Sequence, residues 1–343
     1  MEKRIGFIDI SRAFAIIFIV LGHTLVHSDN CEGIFKLLYS FHVMLFFIIS
    51  GYTFKIKNND NFLIFLKNKF FRLMIPYFIW AIIFLIPYIL FGREVQESIG
   101  SNSSFDIKIQ LFNILYGNGN SSALKQNSSL WFLPVLFSME IIYYFVIKLS
   151  NKSKNMEFIV LISILFISYI TNFTLKIIFP WGINTVLVLG VFFYVGYLFK
   201  IHKIFPKNKI FNFITIMVIL IIGLSSCYLN TIVSCIDYDY ANLTLTLLSG
   251  FCLSTVVIYV SYIIDKNVIL EYIGKNTMGI LIFHKLIILV FQTKFGVISD
   301  LLRSSNIIIE FCLSITITML SIIFSLFCTK IVKKILPILI GEK

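Results

Sequence analysis

The sequence predicts an all-α, polytopic integral membrane protein of about ten transmembrane helices, with both termini cytoplasmic. Three observations carry that prediction. Of the 343 residues, 58% are hydrophobic and only 13% are charged, about half the charged fraction of a soluble domain, and mean hydropathy is +0.92. Apolar runs of about 20 residues, enough to cross a hydrocarbon core as a helix, recur along the chain. Lys and Arg gather in every second connection between those runs. That placement also reads the net charge of +12 as topology and not as a nucleic-acid surface.

The spans fall at roughly 5–27, 35–55, 71–91, 130–150, 158–178, 183–200, 210–229, 243–264, 277–297 and 306–335. The first follows "MEKRIGF" as a signal peptide would. Asp9 and Arg12 and the absence of a small-residue cleavage site make it an uncleaved span instead. Later spans carry polar groups inside apolar runs. "SFHVMLFFIISGY" (40–52) holds His42, Ser50 and Gly51, and "NKFFRLMIPYFIW" (68–80) sets Arg72 four residues before Pro76. "SLWFLPVLFSMEIIYY" (129–144) holds Trp131, Pro134 and Glu140, and "YIGKNTMGILIFHKL" (272–286) holds Lys275, Asn276 and His284. Numbering the connections in this way puts about 20 basic residues on one side and 7 on the other, and a wrong span count would scramble that alternation. The longest connection, about 92–129, falls on the outer side and is rich in Asn and Ser ("GNGNSSALKQNSS"). Residues 1–343 read as a single transmembrane domain with no attached soluble domain and no internal repeat.

The 6 cysteines show neither CxxC pairing nor metal-ligand spacing, so no metal is expected. A Cys227–Cys235 disulfide on the outer face stays open.

Ionisable groups in hydrocarbon are costly and are functional candidates by default. In a helix Arg12 and His23, 11 residues apart, are separated by about three turns plus 20°, so both project from one face, roughly 16 Å apart along the axis. Asp9, three residues before Arg12, is placed to pair with it. Glu140 falls in mid-span and requires a partner such as Arg or His on another helix. Each residue also has a plainer reading. Arg12 could snorkel to lipid phosphates, and Glu140 could form a structural ion pair. His23, His42 and His284 could hydrogen-bond neighbouring helices, Trp131 could anchor an interface, and His27 and His202 read as ordinary loop residues.

With these blocks in order, the chain resembles the membrane-bound acyltransferase 3 family, which includes fucose 4-O-acetylase-like and polysaccharide O-acetyltransferases. Arg12 through His23 looks like the family's first-helix signature of a basic residue, ten others, then His. "FHVMLFFIISGY" looks like its second-helix block, with Val43-Met44 where Met-Pro is usual. "RLMIPY" resembles its Arg-x-x-x-Pro element, "LWFLPVLF" its Leu-Trp-Phe-Leu-Pro element, and "IGKNTMGILIFH" its penultimate block. The resemblance covers nearly the whole chain. It implies transfer of an acyl group, usually acetyl from cytoplasmic acetyl-CoA, to a hydroxyl of a cell-envelope glycan or its lipid-linked precursor. It implies work in a bacterial plasma membrane, as in exopolysaccharide biosynthesis.

On that footing Arg12 and Arg72 are expected to hold the CoA phosphates. His23 is expected to act as general base or acyl carrier, with Glu140 orienting its imidazole. His42, Trp131, Lys275 and His284 are secondary or substrate-contacting candidates. The expected partners are acyl-CoA, the glycan acceptor and the bilayer. A transporter or exporter of a glycan or lipid intermediate is the alternative. It calls for paired Gly/Pro-broken helices, and no clear pair is present. A non-enzymatic scaffold leaves Arg12, His23 and Glu140 without a purpose.

Overall fold

A computed structural model describes residues 6–25, 30–56, 61–98, 106–117, 124, 127–174, 178–203, 209–294 and 306–342. Parts of the expected 92–129 connection (99–105, 118–123 and 125–126), with Lys3, Arg4 and His27, lie outside these residues. The described chain is helical, with one isolated β-bridge, Ser234 to Asp239. The helices are α1 (Gly6–Leu25), α2 (Glu32–Tyr39), α3 (His42–Thr53), α4 (Phe62–Lys69), α5 (Ile75–Ser98), α6 (Ile107–Tyr116) and α7 (Phe132–Ser150). They continue as α8 (Lys154–Thr174), α9 (Ile183–Ile201), α10 (Lys209–Leu229), α11 (Leu243–Ile264), α12 (Val268–Lys275), α13 (Thr277–Lys294) and α14 (Ile307–Ile335).

Among the described residues 8 helices are long and apolar enough to cross a membrane, or 9 where the α12–α13 pair, bent by 81°, is counted as one span. The expected span at 210–229 coincides with α10, which is 21 residues long. The expected span at 277–297 coincides with α13, and α12 precedes it across the bend. Asn276 marks the break, its Nδ2 donating to the Tyr272 carbonyl at 2.7 Å.

Local chemistry sets the helix starts. Side-chain oxygens of Asn61, Asp106, Asn242, Asn267 and Asn306 accept from backbone N–H groups at the first turns of α4, α6, α11, α12 and α14. Such caps satisfy donors that the helix itself leaves open. Between α4 and α5, Phe70–Met74 forms a π-helical turn. Pro76 explains it: proline donates no N–H and its ring crowds the carbonyl four residues back, that of Arg72. The widened turn therefore falls on the segment that carries Arg72.

Close helix contact rests on small residues, as it must where lipid tails remove the hydrophobic drive. A Cβ on Gly51 of α3 would collide with the Phe193 carbonyl oxygen, and one on Gly196 of α9 with that of Ile48. The reciprocal glycines let the two backbones touch. All 6 cysteines are free thiols, which settles the open Cys227–Cys235 pairing in the negative.

Candidate active site: two chambers along one helix face

The inner face of α1 reads Arg12, Ile16, Ile19, His23, with spacings of four, three and four that keep one helical stripe. Arg12, Ile16 and Ile19 line a cavity of about 410 Å³ at one end of the bundle. Ile19 and His23 line a second, of about 320 Å³, toward the other end. Both volumes are of the size that holds small ligands. Only Ile19, Phe132 and Leu281 line both cavities, so the two chambers meet at an apolar constriction. Phe132 is held there by stacking on Phe47 at 5.6 Å and by an edge contact with Phe46, also at 5.6 Å.

The Arg12 chamber is cationic. Arg12, Lys69, Arg72 and Lys275 line it, against the carboxylates Glu140 and Glu342. Arg12 Nη1 donates to Asp9 Oδ1 at 3.1 Å and Nη2 to Thr53 Oγ1 at 3.3 Å, which holds the guanidinium fork in place. Asp9 is in turn buried where α12 crosses α1. A Cβ on Gly274 would overlap the Asp9 carbonyl, so only glycine allows that crossing. Lys275 pairs with Glu271 at 3.0 Å on the exposed rim. Arg72 has no carboxylate in ion-pair range among the described residues, so its charge is open to a ligand. The segment after α14 folds back over this chamber. The Leu339 carbonyl accepts from Trp80 Nε1 at 2.7 Å, and Glu342 meets Lys333 at 2.6 Å.

The second chamber gathers imidazoles and hydroxyls. His23 and His42 line it, together with Tyr39, Ser128, Ser129 and Lys285. The His23 ring stacks on that of His284 at 5.3 Å. The Nδ1 of His284 lies 2.7 Å from the Ile280 carbonyl, and that of His42 lies 2.6 Å from the Leu38 carbonyl. A carbonyl can only accept, so in both rings Nδ1 carries the proton and Nε2 is the open acceptor. Ser129 Oγ stands 3.4 Å from His284 Nε2. Trp131 lines one wall, and six consecutive residues, Ile232–Asp237, line another. Within that loop burial pushes the Cys235 thiol up to about 12. It is therefore a protonated, inert thiol at neutral pH and no candidate acyl carrier.

The sequence expectations divide accordingly. Arg12 and His23 do share a face, and Arg72 joins Arg12 in one chamber, with Lys275 on the rim. His42 and Trp131 share the chamber of His23, and His284 lies against the His23 ring. Glu140 is the correction. It does not stand beside His23. Its Oε1 accepts from Lys69 Nζ at 2.8 Å, in the Arg12 chamber. The reason is antiparallel packing. Trp131 lies level with His23, and α7 then runs back past α1, so nine residues later Glu140 is about 13 Å nearer the Arg12 end. His202 pairs with Glu157 at 3.0 Å, outside both chambers.

Residues that sequence reasoning passed over include Lys69 and Lys285. A lysine inside "ILIFHKLIILV" was the available signal, masked by the histidine beside it.

A family model described as an acyltransferase domain matches residues 5–328. No curated protein and no solved structure gives a significant match. The matched stretch takes in α1, α3, α7, α12 and α13, the helices that wall the two chambers, and most of α14. With nearly its whole length inside that match, the chain belongs to the acyltransferase 3 family and is a multi-pass membrane acyltransferase.

Proposed function

We propose that this acyltransferase moves an acetyl group from cytoplasmic acetyl-CoA to a hydroxyl of a cell-envelope glycan or its lipid-linked precursor, in a bacterial plasma membrane. The observation that supports this reading best is the α1 stripe, with a cation in one chamber and an imidazole in the next. An extended pantetheine arm is of the order of the roughly 16 Å between those positions.

In this reading both termini are cytoplasmic and the Arg12 chamber opens to that side. Arg12 and Arg72 hold the nucleotide phosphates as charge-assisted donors. The arm passes Ile19, Phe132 and Leu281, and the thioester reaches the second chamber. The acceptor hydroxyl enters there, and neutral His23 takes its proton as the oxygen attacks the thioester carbonyl. The aromatic rings of Trp131 and Tyr39 offer faces for a sugar ring. Glu140 acts from the donor chamber, where it fixes Lys69.

Mass spectrometry of envelope glycans from cells with and without the protein tests the reaction. Loss of one acetyl mass from a glycan in the deletion strain is the expected result. Unchanged acetylation refutes the reading. If the deletion instead strands the unmodified glycan inside the cell, the transporter alternative replaces it.

A further inference from the structure

Lys285 has no role in the reaction outlined above, yet its position is matched to that of His23. Ile19 and Leu281 both stand in the constriction. His23 follows Ile19 by four residues on α1, and Lys285 follows Leu281 by four on α13. Each group therefore sits one helical turn, about 6 Å, beyond the constriction, on the same stripe as the constriction residue. A thioester emerging past Ile19 and Leu281 meets both side chains.

Lys285 is also rigidly seated. Its Nζ donates to Ser128 Oγ. The turn that carries Ser128 is fixed to α13 by Asn127 Nδ2, which donates to the Ile282 carbonyl at 2.8 Å. Among the described residues no carboxylate lies in ion-pair range of Lys285. The carboxylate of this chamber, Asp237, accepts instead from Ser234 Oγ at 2.7 Å. A lysine set this far into an apolar bundle, with a hydroxyl as partner, is a site for an anion that arrives from outside the protein.

Building on the acyl-transfer reading, we propose that Lys285 is a second catalytic group, whose ammonium binds the thioester oxygen as it becomes an oxyanion. His23 takes the hydroxyl proton, and the acceptor oxygen bonds to the carbonyl carbon. The carbonyl π pair moves onto oxygen and is held by the Lys285 ammonium. Collapse of the tetrahedral adduct restores the carbonyl, breaks the C–S bond and expels the CoA thiolate, which recovers the proton from His23. Lys285 stays protonated throughout. Donors placed where charge develops act on kcat and not on substrate affinity.

Steady-state kinetics of the full chain in lipid nanodiscs tests this. Lys285→Met, similar in length and uncharged, should lower kcat by about 100-fold or more and leave the acetyl-CoA KM within about threefold. Ser128→Ala, which removes only the seat and keeps the test open should Lys285→Met fail to assemble, should lower kcat by about 5–10-fold. Wild-type kcat in either assembled variant overturns the proposal. So does a loss confined to the acceptor KM, which would make Lys285 a holder of an anionic acceptor.

A second arm is independent of acyl transfer. In a Trp80→Phe, Trp181→Phe background the remaining tryptophan, Trp131, lines the same chamber. Iodide should quench its fluorescence several-fold less after Lys285→Met. Equal quenching removes the anion site. Lysine-dependent quenching in a protein that transfers no acyl group keeps the site and removes the reading of the function.

Discussion

Glu140→Gln separates a carboxylate that fixes the donor chamber from one that orients the catalytic imidazole. Glu140 Oε1 and Lys69 Nζ are 2.8 Å apart, with side chains 11% and 17% exposed. At an effective dielectric of about 20 their attraction is about 6 kcal/mol. Withdrawal from water costs several kcal/mol, which leaves a net of about 2 kcal/mol. Glutamine keeps an acceptor for Lys69 but loses the charge. The ammonium retains the Phe54 and Phe65 rings, 5.6 and 5.2 Å from Nζ, contacts of about 0.5–1 kcal/mol each. The expected destabilisation is therefore about 1–2 kcal/mol, a fall in Tm of about 2–4 °C. Because Glu140 lies a chamber away from His23, kcat should hold within about threefold. The acetyl-CoA KM should fall slightly as one negative charge leaves the proposed phosphate site. Thermal melts and steady-state kinetics on the detergent-purified protein read all three quantities. A loss of kcat near 10⁴-fold with an unchanged Tm, the mark of a lost imidazole-orienting carboxylate, would refute the placement. A double-mutant cycle with Lys69→Met should return a coupling of about 1–2 kcal/mol.

The other predictions concern the stripe and its surroundings. His23→Gln, which hydrogen-bonds but takes no proton at neutral pH, should lower turnover by about 100-fold or more with donor binding by calorimetry intact; near wild-type turnover would make His23 structural. Arg72→Ala should raise the acetyl-CoA KM about tenfold and leave kcat alone, since its charge has no carboxylate partner among the described residues; an unmoved KM would exclude it from phosphate binding. Ile19→Trp should block the constriction, so that donor still binds but turnover falls below about 1%, and turnover that persists would mean the arm takes another path. At pH 8 the Cys235 thiol, its pKa near 12, is protonated and buried. Maleimide should spare Cys235 until the protein is denatured, as mapped by peptide mass spectrometry, and rapid labelling of Cys235 in the folded protein would refute its burial.

What the sequence made legible was whatever is local to one helix. Arg12 and His23 share a face because 11 residues close three turns, and no knowledge of neighbours is needed for that. The apolar runs are equally local, and each expected span coincides with a described helix. What hydropathy alone did not show is that the polar "GKNT" before the ninth span holds a sharp bend between α12 and α13. Glu140 went wrong because hydrophobic periodicity carries no statement about which helix lies opposite. Span direction did hold part of the answer. Trp131 begins its span at the end where α1 finishes, so helical rise alone places Glu140 well below His23. Lys285 was hidden differently, by adjacency to a histidine that drew the attention.

The constriction has an electrical consequence. Chambers at opposite ends of a membrane-spanning bundle, joined along one stripe, would form a pore if water filled the path between them. A membrane potential drives each unit charge with about 2.3 kcal/mol per 100 mV. Ile19, Phe132 and Leu281 present only hydrocarbon where the chambers meet. An ion crossing there sheds its hydration with no polar side chain to replace it, at a cost of several kcal/mol or more, which exceeds the driving force. The empty protein is thus an insulator. In the proposed reaction, a pantetheine arm, itself uncharged and slender, threads the same gap and fills it, so the acyl group crosses while the ion gradient is kept.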